Sequence, residues 1–224
     1  MHLRNCNPEA FYPVASPVAH TFAGFWTFLL LISRLRVRLV TACRQYLPQL
    51  VLLVLLANLA DIDFLFGLAT DANALHRGFT HSLAAAFFVA LAVACIWRIA
   101  GSFWRSATLY FLAYGSHLLI DLVTGAKLGW NATAFGIPLF WPWRKEFGSP
   151  LILVVGVRHK DFPALFSMEN LQSSSYELLI FGVITAALMV LWVRHQKGRA
   201  LPHECKTPAR AVYNSNPMQS NEIP

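Results

Sequence analysis

The chain has 224 residues, of which 56% are hydrophobic and 13% charged, with a mean hydropathy of +0.49; an ordinary soluble domain holds roughly 25% charged residues, so the composition excludes that class and points to a membrane protein. The net charge of +7 does not mark a nucleic-acid binder. Its basic residues flank apolar runs (Arg34, Arg36, Arg38 and Arg44; Arg98 and Arg105; Arg194, Lys197 and Arg199), as cytoplasmic flanks of membrane helices do.

In chain order, apolar segments run over 19–33, 47–69, 82–100, 106–124 and 176–193. A spanning helix needs about 20 apolar residues. The last four segments qualify, whereas Pro13 and Pro17 keep the first one short. After the first segment, Val40-Thr41-Ala42-Cys43 looks like a lipoprotein cleavage box, but the arginines before it stand on the wrong side of the apolar run. The four scattered cysteines (Cys6, Cys43, Cys95 and Cys205) form neither a disulfide framework nor a thiolate zinc site.

Residues 125–175 form a connection rich in Gly, Pro and Trp. Trp130, Trp141 and Trp143 predict an interfacial or re-entrant segment, since indole prefers the headgroup level. Residues 1–17 and 198–224 read as polar, poorly ordered tails around one membrane-embedded domain over 18–197. The expected fold is therefore an all-α membrane protein, a bundle of about five transmembrane helices with a Trp/Pro-rich interfacial segment. With the first helix entering from outside, inner loops and tail hold 11 Lys and Arg against 7 outside. That orients the chain N-out and C-in.

Against this apolar background stand His20, Asp61, Asp63, His76, His81, His117 and Asp121. Ionisable groups at membrane depth are costly and mark ion pathways or metal sites. Alternating helix directions bring the seven to one membrane face, the outer one in this orientation. His117 and Asp121 are four apart and share a helix face. Both reach one metal, or Asp121 orients the imidazole, or the two form a plain inter-helix hydrogen bond. Asp61 and Asp63 are two apart, so convergence requires the chain to leave helical geometry there; otherwise each serves a different metal, or both are solvated helix-end acids. His76 and His81 are five apart, which places His76 in a loop and His81 in the first turn of the next helix, with Thr80 or Ser82 as cap. Arg77 suits an anion such as phosphate, or snorkels to lipid headgroups. His2, His159, His195 and His203 lie in tails or flanks and carry no role.

Mixed imidazole and carboxylate ligands suit zinc, manganese or iron. Four histidines and three carboxylates exceed the needs of one tetrahedral ion, whereas two divalent ions, zinc or manganese, a few ångström apart would use them and activate a water. Asp63 is then the candidate general base or acid.

His20, the Asp-Ile-Asp of ADIDFLF, HRGFTHS, SHLLIDLVTG and GIPLFWPW, in this order, resemble the YdjM-like family of bacterial inner-membrane proteins labelled metal-dependent hydrolases. The likeness spans residues 18–150, and Ala60 stands where the family usually has a proline. The resemblance implies a multi-pass inner-membrane protein with His20, Asp61, Asp63, His76, His81, His117 and Asp121 as metal ligands. Its partners are then the lipid bilayer and an amphiphilic small-molecule substrate, and no nucleic acid. The expected function is metal-dependent hydrolysis of an amphiphilic ester, with Asp63 and Arg77 as catalytic candidates and Arg77 favouring phosphoesters. The competing reading is a divalent-metal transporter, which needs ligands near the midplane; here they crowd one face.

Overall fold

The computed structural model describes residues 15–33, 35, 37–63, 78–131, 136–143, 145–156 and 167–199, without the side chains of 197–199. Helix α1 (Pro17–Ile32) begins where Pro17 seemed to forbid it. Proline is tolerated at the first helical position, whose N–H has no intrahelical partner. The hydroxyl of Ser16, the N-cap residue, accepts from the Val18 amide at 3.3 Å. Ser16 and Pro17, expected in the polar tail, thus open the first helix.

Two helices follow, α2 (Leu39–Gln45) and α3 (Leu47–Asn58), bent by 83° at their junction. Pro48 lies in the first turn of α3, where it cannot donate back to α2. Helix α3 gives way to a 3-10 turn at Leu59–Asp61. A second 3-10 turn, Phe79–His81, leads into α4 (Leu83–Ile96), whose N-cap Ser82 accepts from the Ala85 amide. Ser102 caps α5 (Phe103–Leu122) in the same way, through the Arg105 amide.

Close packing relies on small residues. On α1, a side chain at Gly24 would place its Cβ 2.6 Å from Val54 Cα and 2.9 Å from the Leu53 carbonyl, so only glycine lets α1 and α3 touch backbone to backbone. Ala85, Ala86, Ala90 and Ala94 are the buried residues of α4, and that helix packs against α5. The opposite sides carry Phe87, Phe88, Ile96, Trp104 and Leu119, all exposed, as expected of surface that meets lipid.

The connection after α5 is not purely irregular. Strand β1 (Thr124–Gly125) pairs in parallel with β4 (Val154–Val155), and β2 (Gly129–Trp130) pairs antiparallel with β3 (Leu151–Ile152). The Ser149 amide bonds the Leu122 carbonyl, and the Leu83 amide bonds the Leu139 carbonyl. The segment thus covers the end of α5 and the start of α4. Trp130, Trp141 and Trp143 remain exposed on it.

Helix α6 (Met168–Arg199) runs parallel to α1 and grips it along its length. Near one end, the buried Glu177 carboxylate accepts from both the amide and the hydroxyl of Ser16. At mid-height Trp26 donates to Thr185 at 2.7 Å and stacks on Phe181. At the far end Gln196 donates to the carbonyls of Ser33 and Leu35.

Among the described residues, α6 over Met168–Gln196 is the helix long and apolar enough to cross a membrane by itself. The bent pair α2–α3 reaches that length jointly, and α1 and α4 are shorter apolar helices. The mostly helical architecture therefore holds, with two small strand pairs added, but five full spans do not follow: hydropathy runs smoothly across residues where the backbone bends or turns to 3-10 geometry.

Candidate metal centre

Five of the ionisable residues meet at one end of the bundle. His20 comes from the first turn of α1, Asp61 from the 3-10 turn after α3, His81 from the 3-10 turn before α4, and His117 and Asp121 from the last turns of α5. The side chains of His20, His81, His117 and Asp121 are fully enclosed, and that of Asp61 is 19% exposed. Solvent therefore reaches the cluster on the Asp61 side.

His81 Nε2 and His117 Nε2 lie 3.3 Å apart. Asp121 Oδ2 stands 3.4 Å from the first and 3.3 Å from the second. Asp61 Oδ1 stands 3.6 Å and 3.5 Å from the same two atoms. Donors bound at about 2.0–2.1 Å to one tetrahedral ion are separated by roughly 3.3–3.4 Å along each edge. The three edges among His81, His117 and Asp121 have that spacing and the two from Asp61 are slightly longer; His81, His117 and Asp121 form one group that could hold an ion, and His20, Asp61 and His117 another.

The imidazoles are set up to accept an ion. His117 Nδ1 lies 2.9 Å from the Ala57 carbonyl, which only accepts, so that nitrogen carries the hydrogen. In the neutral ring this leaves the Nε2 lone pair facing the cluster. Thr80 donates its hydroxyl hydrogen to Asp63 Oδ2 at 2.6 Å and lies 3.1 Å from His81 Nδ1. Having given its hydrogen away, Thr80 accepts from His81, whose Nε2 lone pair also points inward. Tyr114 donates to the Thr80 carbonyl at 2.7 Å and pins that turn.

The unmatched polar atoms fit the same picture. Among the described residues, eight buried side-chain nitrogen and oxygen atoms lack a hydrogen-bond partner; five belong to His20 (both nitrogens), Asp61 (Oδ1) and Asp121 (both oxygens). Each such atom costs about 1–3 kcal/mol, more when charged. Their concentration around carboxylates and lone-pair nitrogens is a donor set that suits a divalent cation.

Asp63, expected as ligand or general base, occupies a different place. Its Oδ2 lies 3.4 Å from His81 Nδ1, the ring nitrogen that faces away from the cluster, because the chain resumes helical geometry after Asp61 and aims the two carboxylates apart. His76 and Arg77 lie outside the described residues. Thr80, expected only as a helix cap, instead serves His81, and the Ala57 carbonyl and Glu177 were not among the expected site groups. Glu177 alone had a signal, as an acid just inside the apolar run 176–193.

Comparison with known proteins follows the same stretch of chain. The family model described as YdjM inner membrane protein matches residues 16–199. The chain belongs to the YdjM inner membrane protein family. Membership gives it a lipid bilayer environment, in keeping with its apolar outer surface. Inner membrane protein YbcI of Escherichia coli (strain K12) is 40% identical to this family member over 103 residues, which cover 42% of the chain and 53% of YbcI. The chain thus spans about half the length of the curated relative it matches. No solved structure matches it.

Proposed function

We propose that the chain is a membrane-embedded, metal-dependent hydrolase acting on an amphiphilic ester, with a phosphoester as the preferred class. The observation that carries this reading is the trio of inward-facing donors, His81 Nε2, His117 Nε2 and Asp121 Oδ2, at the mutual spacing of ligands on one small cation, with Asp61 Oδ1 at 3.5–3.6 Å from both imidazoles. A divalent ion there supplies Lewis-acid polarisation of the ester oxygen and a water acidified toward neutral pH.

The protein's own groups do the rest. Ala57 fixes the His117 tautomer, while Thr80 and Asp63 fix that of His81. The walls exclude water except on the Asp61 side, where substrate enters. Exposed Trp141 packs edge-on against Phe79, at 5.0 Å between centroids, just before His81. Such aromatics hold this end of the bundle at headgroup level, which presents lipid-like substrates to the opening. From the sequence, His76 is retained as a further ligand and Arg77 as the partner of the substrate anion. The inner membrane of a bacterium, crossed several times with the centre toward the outer face, is the location this reading requires. Clustering at one end of the bundle favours an enzyme over a transporter, whose site belongs near the midplane.

Purified protein given zinc or manganese is expected to hydrolyse an amphiphilic phosphoester. His81→Ala and Asp121→Ala are each expected to abolish turnover while the protein elutes at its normal size. Full activity in both variants would overturn the reading.

A further inference from the structure

Asp61 and Asp121 divide their oxygens in the same manner. Asp61 turns Oδ1 to His81 and His117 and Oδ2 to His20, whose Nε2 lies 3.9 Å away. Asp121 turns Oδ2 to the same two histidines and Oδ1 to His20, at 3.8 Å. Two carboxylates from different elements thus each face one imidazole pair with one oxygen and a lone imidazole with the other.

His20 is otherwise unexplained. It is fully buried, and neither ring nitrogen has a hydrogen-bond partner. At 3.8–3.9 Å the carboxylate oxygens are too far to accept from it. They stand somewhat wider than the edges of an occupied small-cation site, a gap that a cation between them would draw in. Its ring lies nearly parallel to that of His117, with centroids 3.8 Å apart and 19° between planes.

We infer that His20 Nε2, Asp61 Oδ2 and Asp121 Oδ1 form a second cation site, so that Asp61 and Asp121 bridge a pair of divalent ions. This inference rests on the metal reading above and adds to it the partition of the ligands. It also narrows the substrate class. A bridged pair suits a phosphate ester, which already offers two oxygens of one tetrahedral group to the two ions before reaction.

The test is metal counting on the full chain in detergent, stripped with chelator and titrated with Mn(II), read by calorimetry and electron paramagnetic resonance. The wild type is expected to take up about two ions per chain and give the spectrum of a spin-coupled pair. His20→Ala is expected to keep one ion, with the six-line signal of isolated Mn(II). Inorganic phosphate, added as probe, is expected to tighten the weaker ion in the wild type and to leave His20→Ala unchanged. One uncoupled ion per chain in the wild type overturns the second site while leaving the first intact. No ion at all overturns the metal reading itself. Because the wild-type count decides the matter, a His20→Ala chain that failed to fold would not obscure it.

Discussion

Nε2 of His81 and Nε2 of His117 face each other across 3.3 Å, and in the neutral rings neither has a hydrogen to offer the other. The hydrogens are on the far sides, held by Thr80 and by the Ala57 carbonyl. Two lone pairs aimed at one point repel unless a cation lies between them, and several consequences can be measured.

Thr80→Val removes the hydroxyl that accepts from His81 and donates to Asp63, with little change in volume. Loss of such an outer hydrogen bond typically weakens metal affinity about 10–100-fold. Competition with a chromophoric chelator measures this, and Thr80→Ser is expected to restore most of the loss.

Chelation is expected to destabilise the wild type, because the buried carboxylates then repel one another. An ion present at 100 times its dissociation constant contributes about 2.7 kcal/mol, readable as a fall in Tm when the metal is stripped. Asp121→Asn removes a buried charge and a ligand together. Its Tm is expected to respond little to chelator and to exceed that of the stripped wild type; a Tm below it would count against charge repulsion as the cause.

Gly24→Ala places a methyl 2.6 Å from Val54 Cα, and backbone on both sides leaves no cheap escape. Overpacking of this kind costs about 1–3 kcal/mol. Since α1 carries His20 and α3 leads to Asp61, the variant is expected to lose metal affinity as well as Tm. Unchanged metal binding would show that the two helices part without moving the centre.

Ser16→Ala deletes both the N-cap of α1 and the hydroxyl bonded to Glu177. A lost cap costs about 0.5–2 kcal/mol, and leaving the buried Glu177 with one fewer donor adds to that. Lowered thermal stability in Ser16→Ala, with only a modest fall in metal content, is the expected pattern.

Much of this centre could be read from residue order. His20, Asp61, His81, His117 and Asp121 sit near helix ends whose directions alternate, so hydropathy alone predicts one common end. The four-residue spacing of His117 and Asp121 likewise determines their shared face. The position of Asp63 could not be read, because two residues of separation fix direction only once the turn at Leu59–Asp61 is known. Thr80 looks like an ordinary helix cap in sequence, yet Ser82 caps α4 and leaves Thr80 to serve His81. The short strands around Trp130 and Leu151 were invisible because two-residue pairings carry no period.

The contact between Ser16 and Glu177 joins residues 161 positions apart. His20 is the earliest of the clustered residues to leave the ribosome, while the helix that seats it is the last described element to be made. Assembly of the cluster is thereby tied to completion of that helix: a nascent chain halted before residue 177 already carries all five clustered residues but has no fixed seat for the first of them.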